Sequence, residues 1–140
     1  MTAVDVQALI AQALEARRRS YSPYSGYAVG AALLGASGRV YLGCNIENAA
    51  YGESICAERT AVVKAVSEGE REFVAIAVAT ANGGMPCGAC RQVLNEFAPE
   101  IDLIVVDGEG REVQHAPLTT ILPFSFGPRN LTLPSPHDRT

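Results

Sequence analysis

Residues 73–106 read FVAIAVATANGGMPCGACRQVLNEFAPEIDLIVV, two apolar runs on either side of a helical segment. The runs 73–80 and 101–106 are almost continuously hydrophobic, which is typical of strands that are buried on both faces of a sheet. Residues 87–97 between them predict a helix that stops at Pro99, because proline cannot continue a helix. The order strand, helix, strand predicts two neighbouring parallel strands in an α/β fold.

The sequence on both sides of this segment adds further helices and strands. Apolar residues recur at helical spacing over about residues 4–19, behind a capping box of Thr2 and Asp5. The other predicted elements are strands over 27–34 and 39–45 joined by a turn at 35–38, a helix over 56–67, a strand near 112–115 and a short helix over 117–122. Five strands with helices between them predict a three-layer α/β/α fold with a five-stranded mixed sheet.

The chain is short and mildly acidic. Its 140 residues predict one domain over 1–140, with a polar, proline-rich tail at 134–140 that we expect to fray. With 48% hydrophobic and 19% charged residues, it has the composition of a folded protein. The net charge of −4 argues against a nucleic-acid partner, and without a run of about 18 apolar residues we expect no membrane span. Residues 1–20 lack the features of a signal peptide, so we expect a cytoplasmic protein.

Three of the four cysteines stand at predicted helix starts. Cys56 opens the second helix, and Cys87 and Cys90 open the third. The positive end of a helix favours thiolate over thiol, and a Cys-x-x-Cys at such an end can direct both sulfurs at one metal ion. Because both helices would follow neighbouring parallel strands, we expect their N-termini to meet at the sheet edge where open α/β folds place ligands. Three thiolates with an open fourth position form the arrangement of a catalytic zinc site.

Glu58, two residues after Cys56, supplies the acid–base group that such a site needs. Zinc lowers the pKa of water, but a base has to take the proton and return it later. A carboxylate is a rarer zinc ligand where three cysteines are present, so we interpret Glu58 as the proton carrier. Residues two apart on a regular helix lie about 200° apart. Cys56 and Glu58 can therefore share a site only if Cys56 lies in an irregular first turn.

Other interpretations of the cysteines stay open at this point. Cys44 would close the site as a purely structural zinc centre if it joined the other three, although a free cysteine is an ordinary residue of a buried strand. The motif Cys87–Cys90 at the start of a helix also resembles a thioredoxin-like redox motif, which would leave Cys56 without a function. A binding module with a structural zinc is a further alternative. His115 and His137 are poor ligand candidates, because one lies in a short strand and the other in the tail.

Several motifs together resemble a known family. Cys56-Ala57-Glu58 and the segment 86–92 (PCGACRQ) resemble the signature of zinc-dependent deaminases, His-x-Glu and Pro-Cys-x-x-Cys, with cysteine in place of histidine. With YSPYS at 21–25 and GCNIENAAY at 43–51, the chain resembles the small tetrameric cytidine deaminases. The resemblance runs from the first helix to about Phe126. It implies the mixed-sheet α/β architecture that the pattern of elements also predicts.

The resemblance implies a role for each matching residue. The implied roles are zinc ligands for Cys56, Cys87 and Cys90, general acid and base for Glu58, binding of the ribose hydroxyls for Asn45 and Glu47, and substrate binding for Tyr27 and Ala57. One zinc ion per subunit is implied. Tyr27 falls where the family commonly has a phenylalanine against the pyrimidine ring, so it keeps the aromatic face and adds a hydroxyl.

Arg59 matches an arginine that donates hydrogen bonds to the ligand thiolates. Such an arginine has a physical rationale, because a zinc ion with three thiolates carries a net negative charge and is too electron-rich to acidify water well. Hydrogen bonds from Arg59 and from two helix N-termini would draw charge from the sulfurs and restore the Lewis acidity.

A homotetramer whose adjoining chains complete each active site is also implied. Phe126 falls near an aromatic residue that reaches a neighbouring subunit's site. Phe124 is the alternative, because the segment FSFGP at 124–128 departs from the family pattern. Packing of both phenylalanines inside their own subunit is the competing interpretation.

The implied activity is the hydrolytic deamination of cytidine and 2′-deoxycytidine to uridine, 2′-deoxyuridine and ammonia, in pyrimidine salvage. The acidic chain fits an uncharged nucleoside, and it has no glycine-rich phosphate cradle or basic cluster near the predicted site for a nucleotide. We therefore expect a small nucleoside as partner, and neither nucleic acid nor a membrane. A deaminase of a cytosine-bearing antibiotic or of a polynucleotide is the alternative within the same chemistry.

Overall fold

A computed structural model describes residues 4–131, which contain five strands, four α-helices and two short 3₁₀ helices. In chain order the elements are α1 (Val6–Arg17), β1 (Gly30–Gly35), β2 (Val40–Cys44), a 3₁₀ helix (Tyr51–Glu53), α2 (Ala57–Ser67), β3 (Phe73–Ala79), α3 (Gly88–Phe97), β4 (Asp102–Val106), β5 (Glu112–Pro117), α4 (Leu118–Ile121) and a second 3₁₀ helix (Pro128–Leu131). Every predicted element is present, with ends shifted by a few residues. Thr2, His137 and the tail at 134–140 lie outside the described residues.

The strands form one mixed sheet in the order β2-β1-β3-β4-β5. β1 pairs antiparallel with β2 and with β3, β3 pairs parallel with β4, and β4 pairs antiparallel with β5. The predicted parallel pair is therefore confirmed, but α2 and α3 do not follow neighbouring strands. They follow β2 and β3, which run in the same direction on either side of β1. Since both strands end at the same sheet edge, the N-termini of both helices still meet there.

Helices cover both faces of the sheet, as the three-layer prediction requires. α1 packs on one face of the sheet, where many of the strand side chains are alanines. α2 and α3 pack on the other face, where the strand side chains are larger. The α1 face includes Ala32, Ala75, Ala77 and Ala79, and the opposite face includes Leu33, Ile76, Val78 and Leu103. Successive residues of β3 thus point into two different cores, which explains its continuous hydrophobicity. Among residues 4–131, no helix has the length and apolarity to cross a membrane.

β1 begins at Gly30 and not at residue 27, as the sequence predicted, because a side chain replaces a strand partner there. The amide of Asn45 donates from Nδ2 to the carbonyl of Tyr27 at 2.7 Å. Its Oδ1 accepts from the backbone N–H of Val29 at 2.9 Å. These two bonds replace the partners that a strand would supply, so Asn45 keeps residues 27–29 extended outside the regular ladder.

Gly43 of β2 lets α2 approach the sheet closely. A Cβ on Gly43 would lie within 3.0 Å of backbone atoms of Ala57 and Ala61 in α2. The first turn of α2 therefore rests directly on the backbone of β2. This contact sets the height above the sheet of the turn that carries Glu58.

Candidate active site

The sulfur atoms of Cys56, Cys87 and Cys90 converge at the N-termini of α2 and α3. Their Sγ atoms all lie within 4.8 Å of one another, with 3.9 Å between Cys56 and Cys87 and 3.4 Å between Cys87 and Cys90. Cys56 is the N-cap of α2, with extended backbone at φ −75° and ψ 154°, and Cys87 is the N-cap of α3. Cys56 thus has the irregular backbone that it needs to share a site with Glu58.

The sulfur atoms of Cys56, Cys87 and Cys90, which we call the sulfur group, hydrogen-bond to one another, and this makes the pKa values of Cys56 and Cys90 differ. The pKa of Cys56 falls to about 6, mainly because Cys90 and also Cys87 hydrogen-bond to its sulfur. The pKa of Cys90 is raised in turn, mainly by the proton that it shares with Cys56 and by burial. Thiolate is the form of cysteine that binds metal ions, so the group favours a soft cation such as zinc.

Glu58 is a buried carboxyl group beside these sulfurs. It lies in the first turn of α2 and is only 4% exposed. Burial is the main cause that raises its pKa to about 7, and the charge of the Cys56 sulfur adds to the effect. A carboxyl group with a pKa near neutrality can accept a proton and give it back at the same pH.

Arg59 lies on the next position of α2 and supports the sulfur group electrostatically. Its Nη2 donates to the carbonyl of Ser54 at 3.1 Å, and its positive charge contributes to the low pKa of Cys56. Its Nε is buried and has no hydrogen-bond partner among the described residues. A buried donor without a partner is costly, and electron-rich thiolates on a metal ion are the kind of acceptor that would satisfy it. The donor set and this orphaned N–H group therefore fit a zinc site.

A cavity of about 290 Å³ opens beside the sulfurs and Glu58. Its lining contains predicted zinc ligands, the predicted proton carrier and the residues predicted to bind the ribose. Its lining residues are Ser25, Tyr27, Val29, Asn45, Glu47, Ser54, Ile55, Cys56, Ala57, Glu58, Val78, Thr80, Gly84, Met85 and Cys87. The substrate-binding candidates Tyr27 and Ala57 are thus in the lining, and Cys90 and Arg59 are not.

Asn45 and Glu47 line the cavity but are also engaged by the chain itself. Oδ1 of Asn45 accepts from the hydroxyl of Ser20 as well as from Val29, so both of its lone pairs are in use. The carboxylate of Glu47 accepts the backbone N–H groups of Tyr24 at 2.9 Å and Ser25 at 3.0 Å, and the Ser25 hydroxyl binds its second oxygen. These bonds, led by that hydroxyl, lower the pKa of Glu47, which therefore faces the cavity as a carboxylate.

The described structure leaves three other sequence candidates outside the cavity lining. Phe124 is fully exposed and has a positive φ of 53°, and the side chain of Phe126 is half exposed. Neither phenylalanine is buried in its own chain, contrary to the competing interpretation of the sequence. The sulfur of Cys44 faces the carbonyl of Arg19 at 3.3 Å and is not part of the sulfur group, so it does not close the site.

Sequence reasoning missed the residues that hold the predicted ones in place. Ser25 fixes Glu47, and Ser54 anchors Arg59 through its carbonyl oxygen. Thr80 is buried at the end of β3, where its Oγ1 accepts from the backbone N–H of Gly84 at 2.8 Å. The available signals were the position of Thr80 at the carboxyl end of a buried strand and the place of Ser25 in the motif YSPYS at 21–25.

Comparison with known proteins identifies the family. Residues 4–106 match the family model described as the cytidine and deoxycytidylate deaminase zinc-binding region. The cytidine deaminase of Sporosarcina psychrophila is 44% identical over 131 residues, which cover 92% of this chain and 96% of that protein. The crystal structure of cytidine deaminase from Burkholderia pseudomallei has a TM-score of 0.82 and 42% identity, covering 90% of this chain and 100% of that one.

The cytidine deaminase from Mycobacterium tuberculosis has a TM-score of 0.79 and 40% identity, covering 89% of this chain and 99% of that one. These similarities extend over nearly the whole described fold and confirm its α/β class. The matched zinc-binding region and the group of three cysteines together show that the cofactor is one zinc ion per chain. The chain belongs to the cytidine and deoxycytidylate deaminase family of zinc-binding proteins.

Proposed function

We propose that the chain catalyses the hydrolytic deamination of cytidine and 2′-deoxycytidine to uridine, 2′-deoxyuridine and ammonia. The observation that carries this proposal is the buried carboxyl group of Glu58 in the same cavity as the converging sulfurs. Cys56, Cys87 and Cys90 would hold the zinc ion. When bound, zinc acts as a Lewis acid that makes water a nucleophile at neutral pH.

Glu58 carries both protons of the reaction. Attack of water on C4 of the cytosine ring forms a carbon–oxygen bond, and Glu58 takes one water proton and delivers it to N3. It then takes the second proton and delivers it to the amino group, so that the C4–N bond breaks and ammonia leaves. One proton stays on N3 of the uracil product and the other departs in ammonia, so the carboxylate is regenerated.

The charges around the cavity favour a nucleoside over a nucleotide. Among its lining residues in the described part of the chain, none is basic, and Glu47 and Glu58 carry carboxyl groups. A phosphate group would meet no cationic side chain there, whereas a carboxylate such as Glu47 can accept a hydrogen bond from a sugar hydroxyl. The amide of Asn45 adds a second polar group to the same wall. A 3′-hydroxyl is common to cytidine and 2′-deoxycytidine, so this pair suits both.

The reaction class, the metabolic role and the assembly state belong to the same proposal. The reaction is that of a hydrolase acting on the carbon–nitrogen bond of a cyclic amidine, and pyrimidine salvage is the role that suits its products. The exposed rings of Phe124 and Phe126 support a homotetramer in which a neighbouring chain covers them. The single domain over 1–140 and the cytoplasmic location stay predictions.

An assay of the purified protein against cytidine, 2′-deoxycytidine, cytidine monophosphate and cytosine tests the function directly. We expect release of ammonia from the two nucleosides, and little or none from the nucleotide or the free base. Zinc analysis and thiol titration on the same sample separate the rivals. A protein with no zinc and a reducible disulfide would be a redox protein, and a zinc protein without deaminase activity would be a binding module. Preference for a cytosine-bearing antibiotic or a polynucleotide would overturn the substrate assignment alone.

A further inference from the structure

The hydroxyl of Tyr27 joins two separate walls of the cavity. It donates to Oδ1 of Asn82 at 2.7 Å, across 55 positions of the chain. Tyr27 lies in the extended segment before β1. Asn82 lies in residues 80–86, the segment between β3 and α3 that leads directly into Cys87 and that we call the ligand loop. The bond therefore ties the ligand loop to the opposite side of the site.

On its own side, Tyr27 is fixed by the polar residues around the proposed sugar site. Its backbone N–H donates to Oγ of Ser25 at 3.0 Å, and its carbonyl accepts from Nδ2 of Asn45 at 2.7 Å. The same Ser25 hydroxyl hydrogen-bonds to Glu47. A phenylalanine at position 27 would keep these backbone contacts and the ring, and would lack only the bond to Asn82.

On the other side, the ligand loop is shaped to receive the hydroxyl. The backbone N–H of Gly84 donates to Oγ1 of Thr80, and Gly84 and Met85 line the cavity. A Cβ on Gly84 would lie within 3.0 Å of the Tyr27 hydroxyl oxygen, and the next nearest atom, Cζ of the same ring, would be at 3.5 Å. The space beside Gly84 is thus taken by that single oxygen.

We propose that Tyr27 is a positioning residue, whose hydroxyl holds the ligand loop through Asn82 and so fixes the wall between the sugar-binding pair and the sulfur group. This inference rests on the proposed function, because it assigns Tyr27 a part in the same reaction. The ring of Tyr27 can contact the substrate as the ring of a phenylalanine would. The hydroxyl acts instead on the position of Gly84 and Met85, and through them on the fit of the base.

A double-mutant cycle of Tyr27→Phe and Asn82→Ala tests the bond in the zinc-loaded enzyme. Loss of one neutral hydrogen bond predicts a fall in kcat/KM for cytidine of about two- to tenfold in each single variant. The double variant falls no further, because both changes remove the same bond. KM rises in all three, whereas a mere loss of folded enzyme would lower the apparent kcat and leave KM unchanged. Tyr41→Phe, the same change in β2 and outside the cavity lining, is the matched control.

Two further measurements do not depend on activity. Amide hydrogen exchange of Gly84 and Met85 speeds up in Tyr27→Phe and Asn82→Ala, since the ligand loop opens more often. Gly84→Ala lowers the melting temperature, and adding Tyr27→Phe restores part of it because the clashing oxygen is gone.

Unchanged exchange and unchanged KM in Tyr27→Phe would overturn the proposal, as would additive effects in the cycle or no rescue of Gly84→Ala. If the wild-type protein did not deaminate cytidine, the proposed function would fail. The exchange and melting measurements would then still decide whether the hydroxyl holds the ligand loop.

Discussion

Cys56 and Glu58 line the same cavity although only one residue separates them, since the helix begins between them. Cys56 keeps the extended backbone of an N-cap, while Glu58 already has helical geometry in the first turn of α2. On a continuous helix the two side chains would point in nearly opposite directions. The start of α2 therefore places a sulfur atom and a buried carboxyl group on one wall.

Glu58→Gln tests the proton carrier. An amide cannot carry protons, so turnover of cytidine falls by about 10²–10⁴-fold while the zinc content stays at the wild-type level. Burial raises the pKa of Glu58 to about 7, so its ionisation weakens the metal-free fold as pH rises through that value. The metal-free variant therefore melts no lower than the metal-free wild type at pH 8. Wild-type turnover in a zinc-loaded variant would remove Glu58 from this role.

Glu47→Gln tests sugar recognition without changing the shape of the residue. Hydrogen bonds to a charged acceptor are worth about 1.5–3 kcal/mol, so kcat/KM for cytidine falls by about 10- to 150-fold. The variant and wild type differ little toward 3′-deoxycytidine, which lacks the hydroxyl in question. Equal losses on both substrates would show that Glu47 acts only on the fold. Asn45→Ala is a poorer probe, because it also releases Tyr27 and Val29.

Gly43→Ala tests whether the contact between β2 and α2 positions the site. The added Cβ would lie within 3.0 Å of the backbone of Ala57 and Ala61, so α2 has to move away from the sheet. We expect a loss of about 1–3 kcal/mol in the free energy of unfolding, as for other overpacked cores, together with a lower zinc affinity. Gly52→Ala is the control, since nothing lies within 4 Å of the Cβ it adds. Equal zinc affinity in both variants would contradict the prediction.

His115 predicts a pH-dependent contribution to stability. Its Nε2 lies 2.7 Å from Asp102 and its Nδ1 lies 3.1 Å from Glu112, and the bond to Asp102 is the main cause that raises its pKa. A raised pKa stabilises the fold below the unfolded-state value of about 6.5, and the effect is lost as pH rises through the folded-state pKa. Solvent exposure limits it to about 1 kcal/mol or less.

His115→Gln should therefore lower the melting temperature more at pH 5.5 than at pH 8.5. Thermal unfolding of both proteins at the two values measures the difference. A larger loss at the higher pH would contradict the assignment of His115 as a stabilising cation.

The exposed phenylalanines predict an assembly. Light scattering should report about four times the chain mass of 14.8 kDa at micromolar concentration. Phe126→Ala should weaken substrate binding, measured as a higher KM for cytidine, more than it weakens folding, measured as the melting temperature. The same measurements on Phe124→Ala show which ring acts on a neighbouring site. A fully active 14.8 kDa monomer would refute both the assembly and the shared sites.

Most of the fold followed from hydrophobic patterns. β3 and β4 are apolar because both faces of the sheet are covered, and their continuous runs mark them plainly in the sequence. The cysteines at the starts of α2 and α3 were equally visible, because spacing and helix position are local features. The error about neighbouring strands arose because β1 lies between β2 and β3, an order that no local pattern encodes.

The features of the fold and site that could not be predicted depend on side-chain hydrogen bonds between residues that are far apart in the sequence. Asn45 shortens β1 by binding Tyr27 and Val29, and Ser25 fixes Glu47 across 22 positions. The hydroxyl of Tyr27 donates a hydrogen bond to Asn82, which lies 55 positions later in the chain. Such contacts have no periodicity and depend on turn geometry, so they become visible only in three dimensions.

The double engagement of Asn45 limits how this site can diversify. A lineage that acquired a new sugar preference by replacing Asn45 would also release the segment before β1, so selection for a stable fold would remove the replacement before its new preference could spread. Glu47 and Ser25 are less constrained, because their bonds to each other and to the backbone of residues 24, 25 and 27 lie at the exposed surface. Adaptation to other nucleosides should therefore begin at these two positions and leave Asn45 in place.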